Sequence, residues 1–470
     1  MKARELLNLG YPKGPLIATA RAAAGAARCA GRPKHKVRET LVELLDAPED
    51  FIEDPIFGRL ASGLKEADVR RKPAPALVAD YERKPPLDYP VWGEEIDEQA
   101  HQQMRNACKL PISVAGALMP DAHVGYGLPI GGVLATDNAV IPYAVGVDIA
   151  CRMMMTVFDR PPERLADKER RFKGILQDNT RFGIGVSWQP RREHPVMDED
   201  WSVTPTTAGL KDLAHRQLGT SGSGNHFVEF GELILNETVK GVPPGRYLAV
   251  MSHSGSRGPG NKIATHYSKW AMSKHGRMPK ELRHLAWLDL DGDGAEYWAA
   301  MQLMGRYASA NHHVIHRQIV AAMGESPLFQ VENHHNFAWR ERHGDRDVIV
   351  HRKGATPAGE GVLGIIPGSM AAPAYLVEGR GNPDSLRSAA HGAGRRLSRS
   401  AAFKSIRWPE VQRYLADRHV ALISAGLDEA PWVYKDIDEV MAAQSSLVRP
   451  VAKFLPRIVK MAPAGERPED

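Results

Sequence analysis

Five short segments, far apart in the chain, carry side chains that bind metal ions or phosphate, most of them beside glycine. The last is His391-Gly392-Ala393-Gly394-Arg395. A covalent phosphoryl-type nucleophile needs such a reachable imidazole, backbone N–H groups that face a phosphate, and a guanidinium that neutralises its charge. A fold that builds one site must bring the segments together, and their combination indicates metal-dependent nucleotidyl transfer. The other four, which offer ligands for a transition-metal site, are Asp148-x-x-Cys151, Asn225-His226, His253-Ser254-Gly255-Ser256-Arg257 and His334-His335-Asn336.

The cysteine content limits the class of protein and its compartment. Only Cys29, Cys108 and Cys151 occur in 470 residues, which excludes a disulfide framework and fits a reducing, cytoplasmic compartment. No apolar run approaches the length of a transmembrane helix, so no membrane partner is expected. A chain of this length suggests two or more domains, or one large domain with additions.

The N-terminal segment is strongly basic. Residues 1–38 carry nine lysines and arginines against one acid, Glu5, whereas the whole chain has a net charge of +5. Such a basic arm can hold a phosphodiester backbone. Two alternatives remain open: a solvated helical face, and a mitochondrial transit peptide, although the segment contains no serine.

A proline-rich stretch separates two predicted regions. Residues 73–90 contain five prolines and suggest a linker, so we predict a basic helical N-terminal extension over 1–90 and a catalytic domain over 91–470. Short strands and helices interleave in the second region without a regular βαβ rhythm, which favours an α+β fold. The predicted strands are Gly125–Val133, Val140–Pro142, Val145–Asp148, Tyr247–Met251 and Asp347–Val350, and the predicted helices span 297–321 and 408–423.

Each motif also has a structural explanation when it is taken alone. Cys151 suits a buried structural cysteine, and the segment around Asn225 suits a capped turn. His253 is compatible with an ordinary polar loop. The adjacent His334 and His335 point in different directions, so at most one of them is expected to bind a metal. The combination is more specific than any single motif, because a structural explanation must be found separately for each.

Three further segments suit either phosphate binding or plain structure. His351 to Thr356 is strongly cationic, and Pro367 to Met370 is a turn whose N–H groups suit an anion. Both are also compatible with ordinary loops. Lys460 lies in an apolar run near the C terminus, where a lysine can extend its amine to solvent.

In chain order, these motifs resemble those of the RtcB family of RNA-splicing ligases. The resemblance spans about residues 110–460 and leaves the first 90 or so residues outside. The matching segments are Pro120-Asp121-Ala122-His123, Gly125 to Gly132, Gly146 to Cys151, Gly222 to Phe227, His253 to Gly258, His335-Asn336, His351 to Thr356, Pro367 to Met370 and His391 to Arg395.

The resemblance implies a fold, an activity and partners. The fold would be α+β with mixed, largely antiparallel sheets and surrounding helices. The enzyme would join a 2′,3′-cyclic phosphate or 3′-phosphate RNA end to a 5′-hydroxyl end, with GTP and two Mn²⁺ ions as cofactors. Its RNA would be a tRNA or another structured RNA with broken ends, and an accessory activator protein would be a second partner.

By matching position, the resemblance also assigns roles to residues. His391 would be the guanylylated nucleophile, and Asp121 would be an acidic residue of the active site. The implied metal ligands are Asp148, Cys151, His226, His253 and His335, with Cys151 bridging the two ions. The implied nucleotide site consists of Asn225, His226, Phe227, Glu229, His335, Asn336, Pro367, Gly368, Ser369, Met370, Gly392, Ala393, Gly394, Arg395, Tyr434 and Lys460.

The chain departs from the family pattern at three positions. Ala374 stands where the family usually has serine, and Ala150 and Arg152 flank Cys151 where it usually has glycine. These changes concern one nucleotide contact and the geometry of the metal loop, and they remove neither the nucleophile nor a metal ligand. They suggest a divergent paralogue with altered RNA preference.

Two rival functions remain at this stage. A metal-dependent RNA phosphodiesterase without ligation needs the metal ligands but not His391 or Lys460. A non-enzymatic RNA-binding protein would use the basic N-terminal segment and need neither metal nor GTP.

Overall fold

The computed structural model describes residues 3–11, 14–66, 81, 85–276 and 278–466 and divides the chain into two compact units, Met1–Ala79 and Asp80–Asp470. Much of the predicted proline-rich linker, residues 73–80, lies outside the described residues. Residues 85–90 belong to the second unit, since the Leu87 N–H donates to the Cys108 carbonyl (3.3 Å) and the Leu118 N–H donates to the Pro90 carbonyl (3.0 Å).

The first unit is a small helical bundle with its own core. Its helices are α1 (Ala3–Leu9), α2 (Pro15–Cys29), α3 (Lys34–Asp46) and α4 (Gly58–Glu66). Apolar residues at helical spacing, including Leu41, Leu44, Phe57 and Leu60, are completely buried together. The basic residues of α2 and α3 therefore lie on the surface of a packed unit, where Arg21, Arg28 and Arg38 are exposed.

The second unit contains strands and helices interleaved along the chain. Its helices are α5 (Glu98–Cys108), α6 (Pro142–Val145), α7 (Arg164–Asp167), α8 (Glu169–Asn179), α9 (Pro205–Ala208), α10 (Lys211–Gln217), α11 (Arg257–Lys274), α12 (Asp293–Met323), α13 (Arg399–Ser405), α14 (Trp408–Ala416) and α15 (Ile437–Ala443). Its strands are β1 (Ser113–His123), β2 (Ile130–Thr136), β3 (Ala139–Val140), β4 (Arg152–Phe158), β5 (Phe227–Leu235), β6 (Gly245–Ser254), β7 (Leu288–Asp289), β8 (Pro327–His334), β9 (Phe337–His343), β10 (Arg346–Lys353), β11 (Ala355–Pro357), β12 (Leu363–Ile366), β13 (Ala374–Gly379), β14 (Ser388–Ala390), β15 (Ala421–Ser424) and β16 (Val448–Met461).

Two large sheets organise this unit. The larger has the strand order β12-β13-β16-β5-β6-β4-β8, with β15 added parallel to β16, and the smaller has the order β1-β2-β10-β9. All other neighbours within these two sheets are antiparallel. The long helix α12 packs against β4 and β6 of the larger sheet. The predicted α+β class with largely antiparallel sheets is confirmed.

Four local predictions differ from the structure. The predicted strand Gly125–Val133 begins only at Ile130, and the predicted strand Val140–Pro142 ends at Val140. The segment Val145–Asp148 is not a strand, because Pro142 begins the short helix α6 and Gly146, with φ of 103°, ends it. The predicted helix over 408–423 ends at Ala416, and Ala421–Ser424 instead pairs with β16. Pairing with a long neighbouring strand outweighs the local helical pattern there.

Among the described residues, no helix is both long enough and apolar enough to cross a bilayer.

Candidate active site

Four predicted metal ligands lie together at the same end of four neighbouring strands of the larger sheet. Cys151 immediately precedes β4, His226 precedes β5, His253 lies near the end of β6, and His335 follows β8. The antiparallel register aligns these ends: Arg152 pairs with both Ser254 and His334, and Phe227 pairs with His253. Ligands far apart in sequence therefore converge on one point.

The ligands form two groups of three that share Cys151. One group is Cys151, His253 and His335, and the other is Asp148, Cys151 and His226; within each group the ligand atoms lie within 4.8 Å of one another. The Cys151 Sγ is 3.1 Å from the His253 Nε2 and 3.4 Å from the His226 Nε2. Cys151 could therefore contribute its sulfur to a metal site together with either group.

Hydrogen bonds at the edge of the cluster orient the ligands. His253 Nδ1 lies 3.2 Å from the Asn225 carbonyl and donates to it, which leaves the lone pair of Nε2 directed at the cluster. Asp148 Oδ1 accepts the Ser256 N–H (3.1 Å), and Oδ2 lies 3.1 Å from His226 Nε2. This mixed set of imidazole, carboxylate and thiolate suits divalent transition ions.

Burial and neighbouring charges shift the pKa values of the predicted metal ligands. Although burial opposes ionisation of Asp148, the hydrogen bond from His226 and the nearby charges lower its pKa to about 2. Burial lowers the pKa of His253 to about 3 and holds that of His335 well below its usual range. Burial and the Asp148 carboxylate raise the pKa of the Cys151 thiol well above its usual value. The His253 and His335 imidazoles are thus neutral and able to bind a cation, and Cys151 needs a cation to become a thiolate.

The metal loop departs from the family pattern at a strained position. Ala150 has φ of 56°, in the left-handed region that favours glycine, and costs about 1–2 kcal/mol there. Its N–H donates to the Asn336 carbonyl (2.8 Å), and the His335 N–H donates to the Cys151 carbonyl (2.9 Å). These two backbone bonds tie the Cys151 loop to the His335 loop. Arg152 does not line the site, because it pairs with Glu332 (3.1 Å).

His391 stands beside this cluster with a fixed ring. Strand β14 ends at Ala390, and the His391 and His335 ring centroids are 4.6 Å apart. His391 Nδ1 lies 2.7 Å from Oδ2 of Asp121, which is completely buried in β1 and also accepts the His391 N–H (3.2 Å). With the Nδ1 proton held by a carboxylate, Nε2 presents its lone pair.

Gly394 permits this arrangement. Its φ is 75°, and a Cβ at this position would overlap the Asp121 backbone carbonyl. The glycine therefore lets the His391 turn approach β1 closely enough for the Asp121 contact. Asp121 acts through His391 and is a positioning residue.

A cleft of about 670 Å³ surrounds the cluster and His391. Of the predicted site residues, the structure places all but Asp121 and Lys460 on its walls: Asn225, His226, Phe227, Glu229, His335, Asn336, Pro367, Gly368, Ser369, Met370, His391, Gly392, Ala393, Gly394, Arg395, Tyr434, Asp148, Cys151 and His253. Ala374, where the family usually has serine, also lines the cleft.

Lys460 requires a correction. In the β16–β5 pairing, Val459 lies opposite Glu229 and both line the cleft, whereas Lys460 lies opposite Val228 on the other face. The Lys460 ammonium donates to carbonyls at the end of α8, including that of Thr180 (3.0 Å). Burial lowers its pKa to about 8. Its predicted nucleotide contact is therefore wrong for this structure.

Two acids, Glu229 and Glu429, and two arginines, Arg395 and Arg399, also line the cleft. Burial raises the pKa of the Glu229 carboxyl well above its usual value and so favours its protonated form. Glu429 is buried between Arg395 (3.3 Å) and Arg399 (2.5 Å) and accepts the Tyr434 hydroxyl. This network holds Arg395 at the cleft wall.

Only one side chain of the cationic His351–Lys353 run enters the cleft. His351 accepts the Ile141 N–H (2.9 Å), and Arg352 is paired in bidentate fashion with Glu341. Lys353 lines the cleft. The sequence interpretation did not single out Arg396, Arg399, Glu429, Tyr126 or Tyr143, which also line it. The first two continue the His391 motif, and Tyr126 lies in the segment Gly125 to Gly132 that resembles the family, whereas Glu429 and Tyr143 carry no local signal.

Cys151→Ser should weaken metal binding by more than about 100-fold, since loss of an outer-shell partner alone costs about 10–100-fold. Cys151 belongs to both ligand groups, whereas Cys108 is buried outside them and Cys29 is exposed in the first unit. Elemental analysis after dialysis gives the ions retained per chain. Equal metal content in Cys151→Ser, Cys108→Ser and Cys29→Ser would contradict the assignment.

Sequence comparisons identify the family of this chain. The sequence model of the family described as tRNA-splicing ligase RtcB matches residues 103–207 and 197–461. The RNA-splicing ligase RtcB of Escherichia coli (strain K12) is 34% identical over 390 residues, covering 76% of this chain and 92% of that protein. The tRNA-splicing ligase RtcB of Thermococcus kodakarensis is 30% identical over 432 residues, covering 76% of this chain and 89% of that protein. The chain therefore belongs to the RtcB family.

Proposed function

We propose that this chain, an RNA ligase of the RtcB family, joins a 2′,3′-cyclic phosphate or 3′-phosphate RNA end to a 5′-hydroxyl end with GTP and two Mn²⁺ ions. The observation that carries the proposal is His391, whose Nδ1 is held by buried Asp121 while its ring lies 4.6 Å from that of His335. This arrangement would hold a nucleophile beside a set of ligands for two ions. A phosphodiesterase does not need such a nucleophile.

The donor set fits the proposed ions. Asp148, Cys151, His226, His253 and His335 would hold them, with the Cys151 sulfur shared. When bound, such ions stabilise the charge that develops on phosphate oxygens and keep Cys151 in its thiolate form.

His391 carries the nucleotidyl group in the proposed reaction. Its Nε2 attacks the α-phosphorus of GTP, the N–P bond forms, and the bond to the leaving pyrophosphate breaks. The Asp121 carboxylate accepts a hydrogen bond from the Nδ1 proton, which stays on the ring. It also balances the positive charge that the ring acquires. Arg395 lies four residues further on, at the cleft wall, where its guanidinium can neutralise phosphate charge.

The later steps use the same cleft. Water opens a 2′,3′-cyclic phosphate to a 3′-phosphate, which attacks the phosphorus on His391 and frees the imidazole. The 5′-hydroxyl of the second RNA end then attacks the activated 3′-phosphate, and GMP leaves. The carboxyl of Glu229 and the backbone of Pro367–Met370 line the cleft and offer hydrogen-bond partners for the nucleotide.

His391→Ala should abolish covalent attachment of GMP. Purified chain is incubated with radiolabelled GTP and Mn²⁺, denatured, and separated by electrophoresis. His266→Ala is the matched control, because His266 is exposed and does not line the cleft. Label retained by a folded His391→Ala protein would overturn the assignment, and an unlabelled wild type would support the phosphodiesterase alternative.

Asp121→Asn should slow the labelling of His391 by about 10²- to 10⁴-fold while leaving metal content unchanged. The amide preserves the shape of the side chain but can donate to Nδ1, which favours the wrong tautomer, and it cannot balance the imidazolium charge. Single-turnover labelling rates test this. A rate within a few-fold of wild type would show that Asp121 has only a packing role.

Arg21→Gln/Arg28→Gln should weaken RNA binding and flatten its salt dependence, because both arginines are exposed two turns apart on α2. If each contacts a phosphate, the slope of log affinity against log salt falls by about 1.4–1.8. Deleting 1–38 is a poorer test, since it uncovers the buried Leu41, Leu44 and Phe57.

The matched control for this pair is Arg342→Gln/Arg346→Gln, on an exposed turn of the second unit. GTP labelling should be normal in both proteins. An unchanged salt slope in Arg21→Gln/Arg28→Gln would show that this face of α2 does not touch RNA.

A further inference from the structure

Three rings form an aromatic cluster at the mouth of the cleft: Tyr126, Tyr143 and His284. The Tyr143 and His284 ring centroids are 4.9 Å apart, and Tyr126 lies 5.7 Å from His284 and 6.4 Å from Tyr143. Tyr126 and Tyr143 line the same cleft as His391. The catalytic steps described above do not use any of the three rings.

Tyr126 is unusually exposed for an aromatic side chain. Its relative exposure is 65%, the highest among the large hydrophobic residues of the described part of the chain. Exposed apolar surface that is rimmed by polar groups in a cleft marks a binding site more often than a packing defect. An exposed aromatic ring offers a planar surface that suits another planar group.

The loop that carries Tyr126 is held on both sides. The Gly125 N–H donates to Gln103 Oε1 (3.0 Å), and Gln103 Nε2 donates to the Gly125 carbonyl (2.5 Å). Lys353 Nζ donates to the Tyr126 carbonyl (2.5 Å). The ring is therefore presented from a fixed backbone, which lowers the entropy cost of binding against it.

A buried lysine links the aromatic cluster to the surroundings of the nucleophile. Lys353 is 7% exposed, lines the cleft, and has no carboxylate within 4.0 Å among the residues that the structure describes. Burial lowers the pKa of its amine to about 7. The next residue, Gly354, is so close to His391 that a Cβ there would lie 3.1 Å from the imidazole Cε1. A ligand that spans from Tyr126 to His391 would pass this amine, and a negative charge at its inner end would favour the protonated form of the lysine.

We propose that the aromatic cluster stacks against the terminal base of the RNA strand that brings its 3′-phosphate to His391. This subsite rests on the proposed RNA ligation and adds recognition of the terminal nucleotide to it. A base stacks on an aromatic face whatever its identity, so the platform favours any terminal base over none. The phosphate-bearing end fits better than the 5′-hydroxyl end, because Lys353 complements its extra charge.

The test removes the base and the ring separately and together. The full chain, loaded with Mn²⁺ and without GTP, is titrated with a fluorescent RNA oligonucleotide that ends in a 3′-phosphate. A second oligonucleotide lacks only its terminal base. Wild type should bind the abasic strand about 5- to 100-fold more weakly, as expected for one stacked base. Tyr126→Ala should bind both strands equally weakly.

Two control variants isolate the ring. Tyr126→Phe keeps the stacking surface and should retain the wild-type preference for the complete strand. Tyr414→Ala removes an aromatic ring outside the cleft, where it packs on Trp432, and should also behave as wild type. Thermal melting confirms that the variants are folded.

The outcomes separate this inference from the proposed function. If Tyr126→Ala still discriminates the complete from the abasic strand as wild type does, the stacking platform is overturned. A matched pair of strands that carry the 5′-hydroxyl end, with and without its terminal base, is titrated in the same way. If only this pair shows the abasic penalty, the assignment to the 3′-phosphate end is overturned. Labelling of wild type by GTP is measured in parallel without RNA. Its failure would overturn guanylylation and leave the stacking result to stand by itself.

Discussion

The site depends on the antiparallel register of β5, β6, β4 and β8. Strand direction alternates across these neighbours, so residues before β4 and β5 meet residues at the ends of β6 and β8. A shift of one residue in any pairing would turn a ligand to the opposite face of the sheet. Lys460 illustrates the rule, because its neighbour Val459 faces the cleft while Lys460 faces α8. The apolar packing on the two faces of the sheet sets this register. It therefore also sets the positions of the predicted metal ligands.

Two buried carboxylates give two imidazoles different tasks. Asp148 contacts His226 Nε2, the nitrogen that also faces Cys151, and so belongs to the ligand set itself. Asp121 contacts His391 Nδ1 instead, and the opposite nitrogen remains available as a nucleophile. Asp121 is completely buried and Asp148 is 13% exposed, so both contacts lie largely out of water, which strengthens them. The same type of residue pair would thus suit metal binding in one place and nucleophile positioning in the other, according to which ring nitrogen is held.

The sequence predicted the residues of the candidate site better than the ends of its helices and strands. Of the predicted site residues, all but Asp121 and Lys460 line the cleft, and most lie in motifs with glycine beside a ligand type, since backbone that approaches a ligand closely leaves a local signature. Segments such as α12 and β6 were also predicted, because their patterns extend over many residues. The segments Val145–Asp148 and 417–423 were not, since a helix begun by Pro142 and pairing with β16 decided them. Tyr143 and Glu429 line the cleft through tertiary packing, which no local pattern encodes.

The metal loop shows how the chain tolerates its departure from the family. Ala150 occupies a left-handed conformation at a cost of about 1–2 kcal/mol, where the family usually has glycine. In that conformation the Ala150 N–H donates to the Asn336 carbonyl, and the His335 N–H donates to the Cys151 carbonyl. Each such bond contributes about 0.5–1.5 kcal/mol, so the pair offsets the strain. The same two bonds join the loops that carry Cys151 and His335, both members of one ligand group. The hydrogen bonds that stabilise the strained backbone at Ala150 therefore also hold Cys151 and His335 at their distance from each other. The loop can keep this shape without a glycine.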